Sequence, residues 1–130
     1  MPEPPSGVVS VVDDDPSLRR SLKNLLSSVG YHVEMFESAE AFLASGNHTR
    51  PGGCLVLDLR MPGMSGMELL NRLTALGSRM RVIILTAHGD DDTRRRALQA
   101  GAAAFLEKPF DSTALFDAIT SAMSTPAADT

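Results

Sequence analysis

Two hydrophobic periods alternate along this chain. Five short apolar, β-branched runs read as strands: VVSVV (8–12), YHVEMF (31–36), CLVLD (54–58), VIILT (82–86) and AAFLE (103–107). Between them, apolar residues recur three or four positions apart, the spacing of a helix face. PSLRRSLKNLLSSVG sets Leu18, Leu22, Leu25, Leu26 and Val29 on one face, with Asp15 as cap, Pro16 at the first position and Gly30 at the exit. SAEAFLAS predicts a shorter helix capped by Ser38, with Ala41 and Phe42 inward. GMELLNRLTALG is expected to bury Met67, Leu70 and Leu73. DDDTRRRALQAG is polar for much of its length, so its packing should be the weakest. DSTALFDAITSAM carries Leu115, Ile119 and Met123 on one stripe behind a cap at Asp111.

Strand and helix taking turns in this way predict an α/β fold, a doubly wound five-stranded parallel sheet with helices on both faces. LVL and VIIL are apolar without interruption, as strands covered on both faces should be. The expected order is 2-1-3-4-5, the flavodoxin-like arrangement, with its switch point between strands 1 and 3. Ligands of such sheets bind there, at the carboxyl ends of the strands. The Pro-rich start (1–6) and STPAADT at the close read as tails, 125–130 resembling the start of a linker. A single domain over 7–124 remains, expected to be a fragment of a longer protein.

Composition narrows the function. The chain has 130 residues, enough for one core, and a net charge of −4, which disfavours unaided nucleic-acid binding. Five Phe, one Tyr and no Trp leave little for base stacking. No apolar run could span a bilayer and no signal-peptide layout opens the chain, so a cytoplasmic protein with no membrane partner is expected. The single cysteine, Cys54, opens an apolar strand and reads as a buried thiol.

Charge at the strand ends is the informative feature. Strand 1 runs straight into Asp13, Asp14 and Asp15. Asp15 has a local role as helix cap. Asp13 and Asp14 taken alone could be surface acids at a helix N-terminus, where negative charge is mildly stabilising, but like charges beside a hydrophobic sheet repel and are costly to desolvate. In the expected strand order Asp58, Thr86 and Lys108 stand on the same edge. Clustered carboxylates call for a hard cation, and Mg²⁺ suits them, since it takes oxygen ligands and retains waters. Zinc is disfavoured because His32, His48 and His88 are scattered and Cys54 is alone. With the charge offset, Asp58 can act as a nucleophile toward phosphorus. The cation, Lys108, and Thr86 with nearby backbone N–H groups would each cover one phosphoryl oxygen. His88 lies near the expected mouth of the site, and Arg94, Arg95 and Arg96 read as a solvated face.

VVDDDPSLR, LVLDLRMPGMSGMELL, VIILTAHGD and ALQAGAAAFLEKPF, in this order and spacing, closely resemble the receiver domain of two-component response regulators over about residues 7 to 124. TAHGD and EKPFD look most like the branch that carries helix-turn-helix output domains. The resemblance implies phosphorylation of Asp58 by a histidine kinase. It further implies Mg²⁺ held directly by Asp14 and Asp58, through water by Asp13, and by the Arg60 carbonyl. Ala87 and Lys108 would contact the phosphoryl group, Thr86 and Phe105 would form a switch pair, and Lys108–Pro109 would be cis. Phe105 stands where a tyrosine is often found and has no hydroxyl to offer. A homodimer contact through helix 4, strand 5 and helix 5 is implied as well. The implied output is transcription, through a DNA-binding domain absent from this chain; the alternative is a stand-alone receiver acting by protein contact or phosphorelay. A haloacid-dehalogenase-like phosphatase would want a second acid two residues after the nucleophile, where Arg60 stands, so turnover of external substrates is not expected.

Overall fold

The computed structural model describes residues 8–49, 52–87 and 89–124; both expected tails and His88 lie outside the described residues. Strands β1 (Val8–Val12), β2 (His32–Phe36), β3 (Cys54–Leu57), β4 (Arg81–Thr86) and β5 (Ala104–Glu107) alternate with helices α1 (Pro16–Ser28), α2 (Ala39–Ser45), α3 (Gly66–Ala75), α4 (Asp91–Gln99) and α5 (Ser112–Ser124). A short 3-10 turn, Asn47–Thr49, follows α2. All strand pairs are parallel and the order is β2-β1-β3-β4-β5, as the sequence predicts.

Alternation along the central strands divides the interior into two cores. Leu55, Leu57, Val82 and Ile84 turn to one face, where Phe42, Leu69, Leu70, Leu73, Ala97 and Phe105 meet them. Cys54, Val56, Ile83 and Leu85 turn to the other, against Leu22, Leu26, Leu115 and Ile119. The sheet is thus covered on both sides, which explains its continuous apolar strands.

Helix starts follow their local chemistry. Asp15 accepts hydrogen bonds from the Ser17 and Leu18 N–H groups, with Pro16 at the first position of α1. Ser38 caps α2, Ser65 and Glu68 form a reciprocal capping box on α3, Asp90 caps α4, and the Asp111 side chain accepts from Thr113 N–H.

Three packing expectations need correction. Val29 is 40% exposed, because the chain leaves helical geometry there (φ −104°, ψ 11°) and the face periodicity no longer applies. In α2, Ala39 and Phe42 are the fully buried pair and Ala41 is only partly buried. In α3, Leu69 is fully buried beside Leu70 and Leu73, and Met67 is half-buried at the rim of that core. Of the residues of α4 only Ala97 is buried, in line with the weak packing expected of it.

Candidate functional site

The switch point between β1 and β3 sits where the chain turns charged. Asp13 and Asp14 follow the last residue of β1, and Asp58 follows the last residue of β3. Parallel pairing of Val12 with Leu57 aligns these exits, and the Asp58 N–H donates to the Val12 carbonyl at 3.1 Å. One carboxylate oxygen from each of Asp13, Asp14 and Asp58 therefore lies within 4.8 Å of the others. Asp14 is exposed, whereas Asp13 and Asp58 are only 3% and 8% exposed.

Lys108, one residue past β5, reaches back into this cluster. Its Nζ donates to Asp13 Oδ2 at 2.9 Å and to Asp58 Oδ2 at 3.4 Å. The peptide bond to Pro109 is cis. Burial opposes the charge on Lys108, but the Asp13 and Asp58 carboxylates outweigh it and raise the ammonium pKa. For Asp13 burial wins: its carboxyl pKa is raised although Lys108 and the Asp15 N–H both stabilise the anion, and the Asp58 charge adds to the rise. Three carboxylates against one ammonium leave two negative charges, the balance a divalent ion supplies.

The donor set fits Mg²⁺. It is all oxygen, its members are close enough to share one ion, and one of them is open to water, as an ion that retains several waters requires.

Around the acids, Arg60 is exposed and its N–H donates to Asp58 Oδ1 at 3.3 Å. Thr86 is fully buried at the end of β4 and Ala87 is exposed just beyond it. Ile84 pairs with Phe105, so Thr86, two residues on, points to the same sheet face as Phe105. The Phe105 ring is buried beneath the β4–α4 loop: a Cβ on Gly89 would lie 2.6 Å from its Cε1. Asp13, Asp14, Asp58 and Lys108 thus converge, Thr86 and Ala87 end the neighbouring strand, and Phe105 lies a row deeper. Arg94, Arg95 and Arg96 are exposed on α4, and Arg95 pairs with Asp92 at 2.7 Å.

Sequence reasoning missed three supports. Arg19 Nη1 donates to the Asp13 carbonyl at 2.6 Å. Gly66 N–H donates to the Leu59 carbonyl at 2.9 Å, bringing the start of α3 against the backbone of Asp58 and Leu59. Glu40 accepts from the Met64 N–H at 2.9 Å. Only the second had a legible signal, the Ser65-x-x-Glu68 capping box around Gly66.

Comparison with known proteins agrees with this geometry. The family model for the response regulator receiver domain matches residues 9–120. The transcriptional regulatory protein FixJ of Azorhizobium caulinodans is 49% identical over 116 residues, a match covering 89% of this chain and 54% of that protein. The chain spans about half the length of the curated relatives it matches. Among solved structures, FixJ-N superposes with a TM-score of 0.85 at 43% identity, covering 96% of this chain and 99% of that one. The response regulator StyR gives 0.81 at 50% identity, covering 90% and 59%. No helix among the described residues is long and apolar enough to cross a membrane. With its first and third strands ending on clustered acids and its sheet in this order, the chain belongs to the receiver domains of two-component response regulators.

Proposed function

We propose that the chain is a phosphoacceptor switch in which Asp58 takes a phosphoryl group from the phosphohistidine of a histidine kinase. An Asp58 carboxylate oxygen forms a bond to phosphorus as the P–N bond breaks, and the departing imidazole nitrogen keeps the electron pair and takes a proton. Lys108 neutralises one phosphoryl oxygen as a compact charge, and the Thr86 hydroxyl with the Ala87 N–H serves another. Asp14, Asp58 and the Arg60 carbonyl would hold magnesium directly and Asp13 through water; when bound, the ion neutralises the charge on the remaining oxygen. The observation that carries this reading is the three-carboxylate cluster within 4.8 Å, with Lys108 Nζ in contact with two of its members.

Phosphorylation draws Thr86 toward the new charge, and Phe105 turns into the space it leaves, repacking α4 and β5. The repacked α4–β5–α5 face is the homodimer contact. The output is transcriptional, carried by a DNA-binding segment outside this chain, which itself does not touch nucleic acid. The switch acts in the cytoplasm and turns over no external substrate.

Intact-mass measurement after treatment with acetyl phosphate and magnesium tests the assignment. Asp58→Asn should take no phosphoryl group, and Asp111→Asn should be labelled like the wild type. Equal labelling of the two variants would overturn it.

A further inference from the structure

The loop from β3 to α3 carries Arg60 directly after Asp58, and it is held at two places. Its root is closed by the Gly66 N–H to Leu59 carbonyl bond and by the Ser65–Glu68 capping box. Its far arc is held from another element. Glu40, in the first turn of α2, accepts the Met64 N–H at 2.9 Å across 24 positions of sequence. The carboxylate also lies against Gly63, whose φ is +77°, so closely that a Cβ there would be 2.7 Å from Glu40 Oε2.

An acid in the first turn of a helix ordinarily complements the helix dipole. Glu40 does more, because its side chain leaves α2 to bind a different loop. The Met64 N–H is the main reason its carboxyl pKa lies below the ordinary value. Within the arc between the two anchors, residues 60–64, Met61 and Met64 are partly buried against the core, whereas Arg60, Pro62 and Gly63 are exposed, so Glu40 adds a directed hydrogen bond where the packing is incomplete.

Resting on the phosphoacceptor reading above, we infer that Glu40 is a positioning residue for the cation site: its bond to the Met64 N–H sets the path of the backbone that carries Arg60 beside Asp58. Partners one shell beyond the ligands typically change metal affinity about 10- to 100-fold. Glu40 is bonded not to a ligand itself but to Met64, four residues along the chain from Arg60, and through a solvent-exposed bond, so its effect stands at the low end, about tenfold.

Three variants separate the bond from the charge. Glu40→Ala removes both. Glu40→Gln keeps an acceptor oxygen at the same reach without the charge, and Glu40→Asp keeps the charge one methylene short. Magnesium affinity of the unphosphorylated protein is read by titration calorimetry, and the exchange rate of the Met64 amide by NMR without magnesium, with the Leu69 and Leu70 amides of α3 reporting that the fold is intact. Glu40→Ala and Glu40→Asp should weaken magnesium binding about tenfold and speed Met64 exchange, and Glu40→Gln should stay near wild type in both. A merely structural role would lower thermal stability and leave magnesium affinity unchanged. Faster Met64 exchange with unaltered affinity in Glu40→Ala, or Glu40→Gln behaving like Glu40→Ala, would overturn the inference. Wild-type protein that takes up no magnesium would instead overturn the phosphoacceptor reading, and it would do so whatever the exchange data showed.

Discussion

Gly66 offers the sharpest test of how the fold holds Asp58. It is buried at the first position of α3, and its backbone angles are not of the left-handed kind, so a substitution there probes space alone. A Cβ would fall on the Asp58 carbonyl oxygen and lie 2.7 Å from Leu59 Cα and 2.9 Å from the Asp58 carbonyl carbon, where ordinary contact begins at 3.4 Å. All three atoms are backbone, so no side chain can turn aside. Either α3 retreats, against the packing of Leu69, Leu70 and Leu73, or the Asp58–Leu59 backbone moves. Overpacking ordinarily costs 1–3 kcal/mol, and a rigid neighbour on both sides puts Gly66→Ala at about 3 kcal/mol. A domain of this size has an unfolding entropy of about 0.25 kcal/mol/K, so Tm should fall by about 12 °C. Gly77→Ala is the control: φ is +72° and nothing lies within 4 Å, so it bears only left-handed strain. That strain is worth about 1 kcal/mol, or about 4 °C. Calorimetric melting and acetyl phosphate labelling should be read together. A displacement near 1 Å at the nucleophile can cost about a hundredfold in rate, so Gly66→Ala should label far more slowly than Gly77→Ala, whose rate should match wild type. Equal melting shifts and equal labelling in the two variants would refute the claim that α3 buttresses Asp58.

Two further outcomes follow from burial. Cys54 is fully buried in β3 and its thiol pKa is pushed from 9.0 up to about 12, so the folded state keeps a proton that the unfolded state loses above pH 9. Stability should therefore fall as pH rises past 9, by about 1.4 kcal/mol between pH 8 and pH 10 relative to Cys54→Ala; urea unfolding of both proteins at the two pH values checks this, and parallel losses would count against it. At Gly89 an added Cβ would meet the Phe105 ring at 2.6 and 2.8 Å, and this time the obstacle is the tip of a side chain. Gly89→Ala should turn the ring outward at a cost of about 1–2 kcal/mol, visible as shifted Phe105 aromatic resonances; an unshifted ring with wild-type stability would refute that contact.

What the sequence disclosed and what it withheld divide along physical lines. Strand order and the acid cluster were legible because both follow from short-range rules. Apolar runs alternating with helix periods imply parallel strands, and parallel strands bring Asp13, Asp58, Thr86 and Lys108 to one edge. The errors at Val29, Ala41 and Met67 come from helix ends, where one residue of uncertainty in the boundary rotates the predicted face by 100°. The supports at Arg19 and Glu40 were hidden for a different reason, while Gly66 left only the indirect mark of the Ser65–Glu68 capping box around it. Arg19 and Glu40 each join a side chain to backbone of another segment, and backbone partners leave no pattern of residue types to read. Arg19 bonding the Asp13 carbonyl would look the same in sequence as any exposed arginine on α1.

Helices α3 and α4, which follow β3 and β4 in the chain, differ in how firmly they are tied, and that difference bears on where a charge change at Asp58 can travel. α3 is anchored by three buried leucines, a capping box and the hydrogen bond from Gly66 to Leu59, so moving it disturbs a core and the Asp58–Leu59 backbone together. α4 contributes one buried residue, Ala97, and the loop that leads into it rests on the Phe105 ring through a glycine. Elements with little buried apolar surface open at the low end of the free-energy scale. Under the proposed reading, a phosphoryl group that pulls on Thr86 therefore meets its least resistance toward α4, because displacing that helix costs one small side chain's burial and the turning of one ring. A chain with α3 and α4 equally well packed would still accept phosphorus at Asp58, but it would have no soft side through which to report it.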